Sequence, residues 1–519
     1  DLTIASQFHK DIQEVVKDGE DQTEDINVAM EVIRKIFLPA YEWRESQLDV
    51  LPAVLSRKKD YLISIPTGGG KSILFQGPAL YHSAFTNKLS IVITPLKALM
   101  EDQVNKLHDP SLGFYTNVDY LNSDKTLGEV QQIYRKIKGG ELALLYVTPE
   151  RFRARSFLQA LEARMKKDNG LEYFIFDEAH CVSQWGQEFR PDYLNVMDWL
   201  KKFKETYPQM CVAMYSATVT KQIQDAIVKY LPNIERRGQK EEDYNPVRSH
   251  IGMSFIEVGN NDADRIKAIA KYIVEKNIDY TKSRMLVFCR TRKQCEMCAE
   301  TLYDTLVEQH AISDDEGMSP IGYFHAGMDA EDREDAYLHF KNGDISILCA
   351  TKAFGMGMDI PNVHYIVHFS PPSVLEDYLQ EVGRAGRSKE DYEAAGFVGN
   401  KLLPTVCLVS KEDFRKAKEL LIKGMLSWTN LNDIIKKVLE YITQIQSVEK
   451  TKTKPVVLPL DLWRKDNMDD SFTSYRLGLY WLECLERLKL GFTCPSHINI
   501  RLKPKYENTF SRVDSKVKD

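Results

Sequence analysis

The stretch YLISIPTGGGKSILFQGPALY, residues 61–81, decides the fold because it reads as a buried strand, a glycine-rich loop and a helix in direct succession. Successive glycines let backbone N–H groups turn inward around phosphate oxygens, and the following helix presents its positive end to them. Lys71 can reach terminal phosphates and Ser72 can hold Mg²⁺. Ile65 stands where the strict GxxxxGKS pattern has its first glycine, so a plain glycine turn is the alternative. We predict a nucleotide-phosphate loop formed by Thr67, Gly68, Gly69, Gly70, Lys71 and Ser72.

A second chemical signal is the acidic tetrapeptide DEAH, residues 177–180, which follows an apolar run at 173–176. Because the carboxyl ends of parallel strands meet at one edge of a sheet, a carboxylate here can reach Mg²⁺ beside the phosphate loop. We assign Asp177 to the metal ion and Glu178 to the general base that activates the attacking water. A solvated acidic turn explains the tetrapeptide alone equally well. Its position after a strand and downstream of Lys71 favours an NTPase site.

The rest of the chain repeats the alternation of apolar runs and helix-like stretches, which is the pattern of a parallel α/β sheet. The first series comprises residues 61–65, 89–93, 143–147, 173–176 and 211–215. The second series begins near Asn245 and comprises residues 284–288, 320–324, 345–350 and 365–369. We therefore predict an α/β protein with a polar extension at 1–25, α/β domains at 26–240 and 241–415, and a smaller, mostly helical region at 416–519.

The composition is that of an ordinary folded protein, since 43% of the 519 residues are hydrophobic and 28% are charged. No apolar run predicts a membrane span and no leader indicates secretion, so we expect an intracellular protein with no membrane partner. The nine cysteines are scattered, as in reduced proteins. Cys295 and Cys298 have zinc-like spacing, but a helix over 292–302 explains them more simply. The net charge of -6 does not exclude nucleic acid, because a local basic groove suffices.

With these motifs in place, residues 38–387 resemble the RecQ-type DNA helicases of superfamily 2, which implies two tandem RecA-like parallel-sheet domains. The most specific stretch is HCVSQWGQEFRP, residues 180–191, which is similar to the aromatic-rich loop that sets RecQ proteins apart from other superfamily 2 motors. Gln187 and Glu188 replace the family's usual His and Asp in this loop. Buried core aromatics are the alternative. The resemblance implies that the residues that stack on unpaired bases are Trp185, Phe189 and Arg190.

Two further motifs extend the nucleotide site by resemblance. RESQ, residues 44–47, resembles the family's adenine-reading motif, in which the glutamine hydrogen-bonds the base and the arginine packs on it. QEVGRAGR, residues 380–387, matches the last family motif, whose two arginines can project toward the nucleotide from the opposing domain. Solvated helix faces are the alternatives. The resemblance implies ATP and Mg²⁺ as cofactors, and the residues it adds are Arg44, Gln47, Gln380, Arg384 and the predicted arginine finger Arg387.

Several strand-end motifs resemble family segments that touch the DNA backbone. They are TPLKALMEDQ (94–103) and TPER (148–151) in the first domain, and VFCRT (287–291), HAGM (325–328) and ATKAFGMGMD (350–359) in the second. Backbone amides and hydroxyls at helix starts suit phosphates, and such contacts carry affinity without reading bases. SAT, residues 216–218, resembles the segment that links phosphate state to domain movement. The implied DNA contacts are Thr94, Pro95, Lys97, Thr148, Arg290, His325 and Thr351.

The C-terminal part departs from the family. RecQ proteins commonly carry a four-cysteine zinc module after the second motor domain, but only three cysteines follow Arg387, so we expect no structural zinc. Residues 388–404 form an extra stretch before a predicted strand at 405–410. Predicted helices at 412–423, 431–446 and 474–490 and a strand at 498–502 are compatible with a winged-helix-like module. Such a module could grip duplex DNA or pack against the motor or a protein partner.

The resemblance implies an ATP-dependent DNA helicase or translocase that travels 3′ to 5′ on single-stranded DNA and acts on tailed duplexes. One alternative is an ATP-gated DNA-binding subunit of a multiprotein genome-defence or repair complex, with partners bound through the C-terminal region. The other is an RNA helicase. We expect the protein in the cytoplasm or nucleoid of a prokaryote, or in the nucleus of a eukaryote.

Overall fold

A computed structural model of the chain describes residues 25–502 with gaps. The gaps are 39, 67–68, 96, 109–116, 183–190, 218, 220, 239–249, 277, 279–282, 313–318, 353, 355–359, 361, 373–374, 387–388, 414, 416–427, 450–455, 460–461, 464–474, 476–477, 480–481, 483–487 and 495–496. The predicted polar extension therefore lies outside the described residues, apart from Asp25.

The first domain is built on a seven-stranded parallel sheet with the order β3-β4-β2-β5-β6-β1-β7. Its central strands are buried on both faces, which is why they read as continuous apolar runs. The strands are β1 (Tyr61–Ser64), β2 (Ser90–Ile93), β3 (Val118–Leu121), β4 (Leu144–Val147), β5 (Tyr173–Asp177), β6 (Cys211–Ser216) and β7 (Glu235–Gly238). The helices are α1 (Ile26–Phe37), α2 (Glu45–Ser56), α3 (Ile73–Thr86), α4 (Lys97–Leu107), α5 (Leu127–Gly139), α6 (Arg155–Asp168), α7 (Pro191–Thr206) and α8 (Lys221–Val228), with 3₁₀ turns at Pro149–Arg153 and Ala179–Val182.

The second domain has a six-stranded parallel sheet with the order β10-β11-β9-β12-β13-β8. Helices cover both faces, and separate apolar clusters form above and below the sheet. The strands are β8 (Ile251–Glu257), β9 (Arg284–Phe288), β10 (Ile321–Phe324), β11 (Ile347–Ala350), β12 (Val363–His368) and β13 (Leu403–Val409). The helices are α9 (Asp262–Lys276), α10 (Arg292–Glu308), α11 (Ala330–Asn342), α12 (Leu375–Val382) and α13 (Lys389–Ala394).

The C-terminal region contains a long helix, α14 (Trp428–Glu449), and a small antiparallel sheet of order β14-β16-β15. Its strands are β14 (Val456–Pro459), β15 (Leu488–Cys494) and β16 (His497–Leu502). Ile434 and Ile442 of α14 share an apolar cluster with Leu458 of β14. Throughout the described part of the chain, every helix is too short or too polar to cross a membrane.

The predicted fold class, two parallel-sheet α/β domains, is confirmed. Every predicted strand is present within a few residues of its predicted bounds, and the strand predicted at 405–410 begins earlier, at Leu403. Sequence reasoning missed five strands, namely β3, β7, β8, β14 and β15. Of these, β3, β7 and β8 are short or carry charged and exposed residues. The helix predicted at 431–446 lies inside α14, whereas those predicted at 412–423 and 474–490 lie mostly outside the described residues. The end of the helix predicted at 474–490 is wrong, because β15 begins at Leu488. The domain boundaries and the winged-helix character stay predictions.

Candidate active site

The carboxyl edge of the first sheet gathers the predicted nucleotide residues. Because the strands are parallel, the loops after β1, β5 and β6 leave the sheet at this same edge. The phosphate loop follows β1, the pair Asp177 and Glu178 ends β5, and Ser216 ends β6. Residues far apart in sequence are thereby neighbours, as the spacing of the motifs predicts.

Lys71 and Glu178 form the central ion pair of this edge. Lys71 Nζ donates to Glu178 Oε1 at 3.1 Å, and both side chains are largely buried. Burial alone would lower the pKa of Lys71, but the charges of Glu178 and Asp177 outweigh it and raise that pKa. Lys71 is therefore held as a cation, which is the form that binds phosphate.

The two acids of the edge titrate differently. Burial, together with the neighbouring charge of Glu178, raises the pKa of Asp177 to about 6. Burial acts against the Glu178 carboxylate as well, but Lys71 and His180 outweigh it and lower the pKa of Glu178. Glu178 also has a positive φ of 60°, a backbone conformation that costs an ordinary residue about 1–3 kcal/mol. Strained backbone of this kind is concentrated at functional sites.

His180 links the acidic motif to the end of β6. Its Nδ1 lies 3.2 Å from Glu178 Oε2 and 3.2 Å from Ser216 Oγ. His180 and Ser216 both lie in motifs that the sequence singled out, but the sequence assigned no role to His180. The contact joins the general-base candidate to the segment that the resemblance links to domain movement.

Gly69 and Gly70, the described glycines of the loop, have little room for side chains. A Cβ atom on Gly69 would lie 2.5 Å from Ile65 Cγ2 and 2.9 Å from Pro66 O. Gly70 has φ of +76°, and a Cβ there would lie 2.4 Å from Gln47 Nε2. This close backbone approach fits a phosphate cradle, with Lys71 and Ser72 at the start of α3. Thr67 and Gly68 lie outside the described residues.

Gln47 lies against this loop. Its Oε1 accepts from Arg44 N at 3.0 Å, and its Nε2 lies 3.4 Å from Gly69 O and 3.5 Å from Gly70 O. Gln47 is 3% exposed, whereas Arg44 is exposed at the start of α2. Gln47 therefore contacts the main chain of the loop. The adenine contacts predicted for Arg44 and Gln47 stay predictions.

The predicted DNA residues of the first domain follow β2 and β4. Thr94 and Thr148 are buried, and Pro95 is half-buried. Lys97 is exposed, and its Nζ lies 2.7 Å from Asp124 Oδ1. Sequence reasoning missed Asp124, because nothing in its own segment marks it as a partner of Lys97.

The predicted DNA residues of the second domain follow β9, β10 and β11. Arg290 donates to Pro371 O at 3.0 Å from Nε, and His325 Nε2 lies 2.7 Å from Glu296 Oε1. Thr351 is buried. The structure therefore brings these residues to one edge of the second sheet, and their contacts with DNA stay predictions.

The remaining predicted site residues are only partly within the described chain. Gln380 is half-buried on α12 and Arg384 is buried just after it. Cys295 and Cys298 are buried in α10, as the helical explanation predicts, and no three His, Cys, Asp or Glu side chains among the described residues are placed to hold a metal ion. Besides Thr67 and Gly68, the predicted site residues outside the described part are Trp185, Phe189, Arg190 and Arg387.

Two family matches cover most of each sheet. Residues 44–226 match the DEAD/DEAH box helicase family, and residues 264–389 match the helicase conserved C-terminal domain. The chain is 32% identical to the ATP-dependent DNA helicase RecQ of Haemophilus influenzae, over 71% of this chain and 53% of that protein. It is 33% identical to the ATP-dependent helicase SGS1 of Saccharomyces cerevisiae, over 67% of this chain and 22% of that protein. The chain therefore spans about half the length of one of these relatives and less of the other.

Solved structures share the fold at low sequence identity. The DUF1998 helicase MrfA bound to DNA and AMPPNP matches with a TM-score of 0.58 and 17% identity, over 75% of this chain and 52% of that one. The Mycobacterium smegmatis helicase Lhr bound to ssDNA and AMP-PNP matches with a TM-score of 0.56 and 16% identity, over 92% of this chain and 60% of that one. At these identities the likeness shows the fold alone.

Proposed function

Because this chain is a RecQ-like superfamily 2 helicase, we propose that it uses ATP hydrolysis to move along single-stranded DNA and to separate duplex strands. The observation that carries the proposal is the Lys71–Glu178 pair beside Asp177 and the glycine cradle. The name of the Haemophilus influenzae relative, an ATP-dependent DNA helicase, supplies the substrate, DNA. The resemblance supplies the direction, 3′ to 5′.

The geometry suggests how the first domain handles ATP. Lys71 would leave Glu178 and turn to the terminal phosphates, since both are acceptors for the same ammonium group. Glu178, no longer held by Lys71, would then orient and deprotonate the attacking water. Ser72 and Asp177 would hold Mg²⁺, which neutralises phosphate charge when it is bound.

The second domain would complete the site and the track. Arg384 and Arg387 would stabilise charge on the departing phosphate from across the cleft, as arginine fingers do. The strand ends that carry Thr94, Thr148, Arg290, His325 and Thr351 would bind the phosphodiester backbone. Single-stranded and tailed duplex DNA are the proposed substrates, and the C-terminal region is the proposed site for protein partners. The proposed location is the compartment that holds the cell's DNA.

The test compares ATP hydrolysis without nucleic acid, with single-stranded DNA and with RNA of equal length. We expect DNA to stimulate turnover, Glu178→Gln to abolish it, and Trp185→Ala to leave turnover that DNA no longer stimulates. Unwinding of a 3′-tailed duplex, but not of a 5′-tailed one, would establish direction. Turnover without strand separation would reduce the proposal to a translocase.

Two other outcomes would contradict the proposal. Stronger stimulation by RNA would favour an RNA helicase. DNA-independent turnover together with a stably bound protein partner would favour an ATP-gated subunit of a larger complex.

A further inference from the structure

A buried polar network surrounds Asp413 at the carboxyl edge of the second sheet. Arg265, on α9, donates to Phe369 O at 2.6 Å and to Asp413 Oδ2 at 2.7 Å. It also donates to Ser410 Oγ at 2.8 Å. Arg265 and Asp413 are each 3% exposed. Charges this deeply buried persist only when they are paired and hydrogen-bonded, so the network is a fixed part of the domain.

Arg290 extends this network toward the surface. Its Nε donates to Pro371 O at 3.0 Å, its Nη2 donates to the same oxygen at 2.5 Å, and its Nη1 lies 3.4 Å from Asp413 Oδ1. Its side chain is 12% exposed. A guanidinium group has five N–H donors. Contacts within the described chain engage three of its nitrogens once each, so donors remain for a further acceptor.

The network holds more positive than negative charge. Burial would raise the pKa of Asp413, but the hydrogen bonds from Arg265 and Ser410 outweigh it and lower that pKa, so the carboxylate is ionised at neutral pH. Two guanidinium groups therefore share one carboxylate. The surplus positive charge lies where β9, β12 and β13 end, which suits an anionic ligand at this edge.

We propose that Asp413 is a positioning residue for DNA binding, which holds the Arg290 guanidinium so that its remaining N–H groups meet a phosphate of the single strand. The inference rests on the proposed function, because it needs DNA at this edge. Asp413 does not touch DNA in this arrangement. A guanidinium that is already held loses less side-chain entropy when it binds phosphate, so the pairing increases affinity.

The test is a double-mutant cycle on affinity for labelled oligothymidylate, measured by fluorescence anisotropy with the full chain over a series of salt concentrations. We expect Asp413→Asn and Arg290→Gln each to weaken binding about fivefold to tenfold, the size of one typical hydrogen bond. The double variant should bind no more weakly than Arg290→Gln. Each single variant should also reduce the slope of log K against log salt concentration by about 0.7, the value for one phosphate contact on a single strand.

The control is Asp168→Asn. Asp168 pairs with Arg164, which is fully buried in the first domain, so this variant also removes the acid of a buried Arg–Asp pair. No predicted DNA contact lies on α6, and we expect its affinity for oligothymidylate to be unchanged.

Three results decide the inference. An equal loss of affinity from Asp413→Asn with and without Arg290 would show that Asp413 has a structural role alone and would overturn the inference. Tighter binding by Asp413→Asn would overturn it as well.

If Asp413→Asn does not fold, Ser410→Ala takes its place, because it removes only the hydroxyl 3.0 Å from Asp413 Oδ2. It should weaken binding about twofold, and only when Arg290 is present. A parent protein that binds no oligothymidylate would contradict the proposed function as well, whereas additive variants would overturn this inference alone.

Discussion

Both sheets end in buried charges at their carboxyl edges, but the charges are held in different ways. At the first edge, Lys71 bonds to the Glu178 side chain, whose own backbone is strained. At the second edge, Arg265 donates to a main-chain carbonyl and to Asp413, and Arg290 donates to a main-chain carbonyl and forms an ion pair with Asp413. A side-chain partner can rotate away and be exchanged for a ligand, whereas a main-chain carbonyl that directly follows a strand of the sheet cannot.

The difference suggests a division of work between the domains. The first edge is suited to chemistry, because in the proposed function its lysine would exchange Glu178 for a phosphate. The second edge is suited to positioning, because its arginines are fixed whether or not a ligand is present. Substitutions of the buried charges at the first edge should therefore affect turnover, and those at the second should affect stability or DNA affinity.

The largest expected effect is at the first edge. Lys71→Ala removes the cation that would meet the terminal phosphates, so ATP turnover with single-stranded DNA should fall at least about 100-fold to 1000-fold, as for loss of one preorganised contact to developing charge. Phosphate release measures this. Lys59→Ala is the control, since Lys59 is exposed and its Nζ bonds Glu235 at the other end of β1. Equal losses in both variants would remove any special role for Lys71.

At the second edge the expected loss is in stability. Arg265→Met leaves Asp413 buried without its closest cation, which should lower the free energy of unfolding of the second domain by about 3 kcal/mol. Calorimetry measures the unfolding, and ATP binding reports on the first domain, which should be retained. Lys271→Met is the control, because the exposed Lys271–Glu275 pair should contribute less than about 1 kcal/mol. An unchanged unfolding transition would contradict the structural role of the second edge.

The first edge was largely predictable from the sequence. Lys71 and Glu178 are 107 residues apart, yet both follow apolar strands of one parallel sheet, and strands of such a sheet end at the same edge. The sequence also predicted the central strands, because burial on both faces requires continuous apolar residues. It missed β7, which is charged and half-buried and is a strand only through its pairing with β1, as in Tyr61 opposite Glu235.

The second edge was not predictable in the same way. Arg265 and Asp413 are 148 residues apart, and neither lies in a segment with a chemical pattern. Their contact depends on the strand order β9-β12-β13-β8, which no local sequence feature specifies. Partners such as Asp124 and Glu296 were missed for the same reason. Motifs identify the candidate ligand-binding residues, and the strand order decides which residues support them.

A smaller effect, on stability, is expected at the end of the first sheet that lies opposite the carboxyl edge with Lys71. His82, on α3, is buried, and its Nδ1 lies 2.7 Å from the hydroxyl of Tyr173, which itself donates to Val54 O at 3.1 Å. The hydroxyl has only one hydrogen, so His82 must donate to it. Burial, with the nearby charge of Arg57, lowers the pKa of His82 from 6.5 to about 3.

The pH dependence follows from that shift. Between pH 6.5 and about 3 the unfolded chain binds a proton that the folded chain does not, so stability falls as the pH falls through this window. As the pH falls from about 7.5 to about 5.5, His82 should lower the free energy of unfolding of the first domain by about 1 kcal/mol. In urea unfolding, His82→Gln should lose less unfolding free energy than the parent over this pH range. The control is His339→Gln, at an exposed histidine, which should lose as much as the parent. A parent and a His82→Gln variant with the same pH dependence would contradict the assignment.

The smallest expected effect is a change in DNA affinity, and its direction tests the contrast between the two edges. Lys97 and Asp124 form an exposed pair at the first edge, with side chains 46% and 67% exposed. Asp124→Asn should free Lys97 for phosphate and strengthen binding of oligothymidylate about twofold at low salt, with the gain fading as salt screens the charge. Anisotropy titrations measure this, and the gain should vanish in a Lys97→Ala background. Weaker binding would make Asp124 a positioning residue like Asp413. The same acid-to-amide change should thus strengthen DNA binding where the acid competes with phosphate and weaken it where the acid holds an arginine in place.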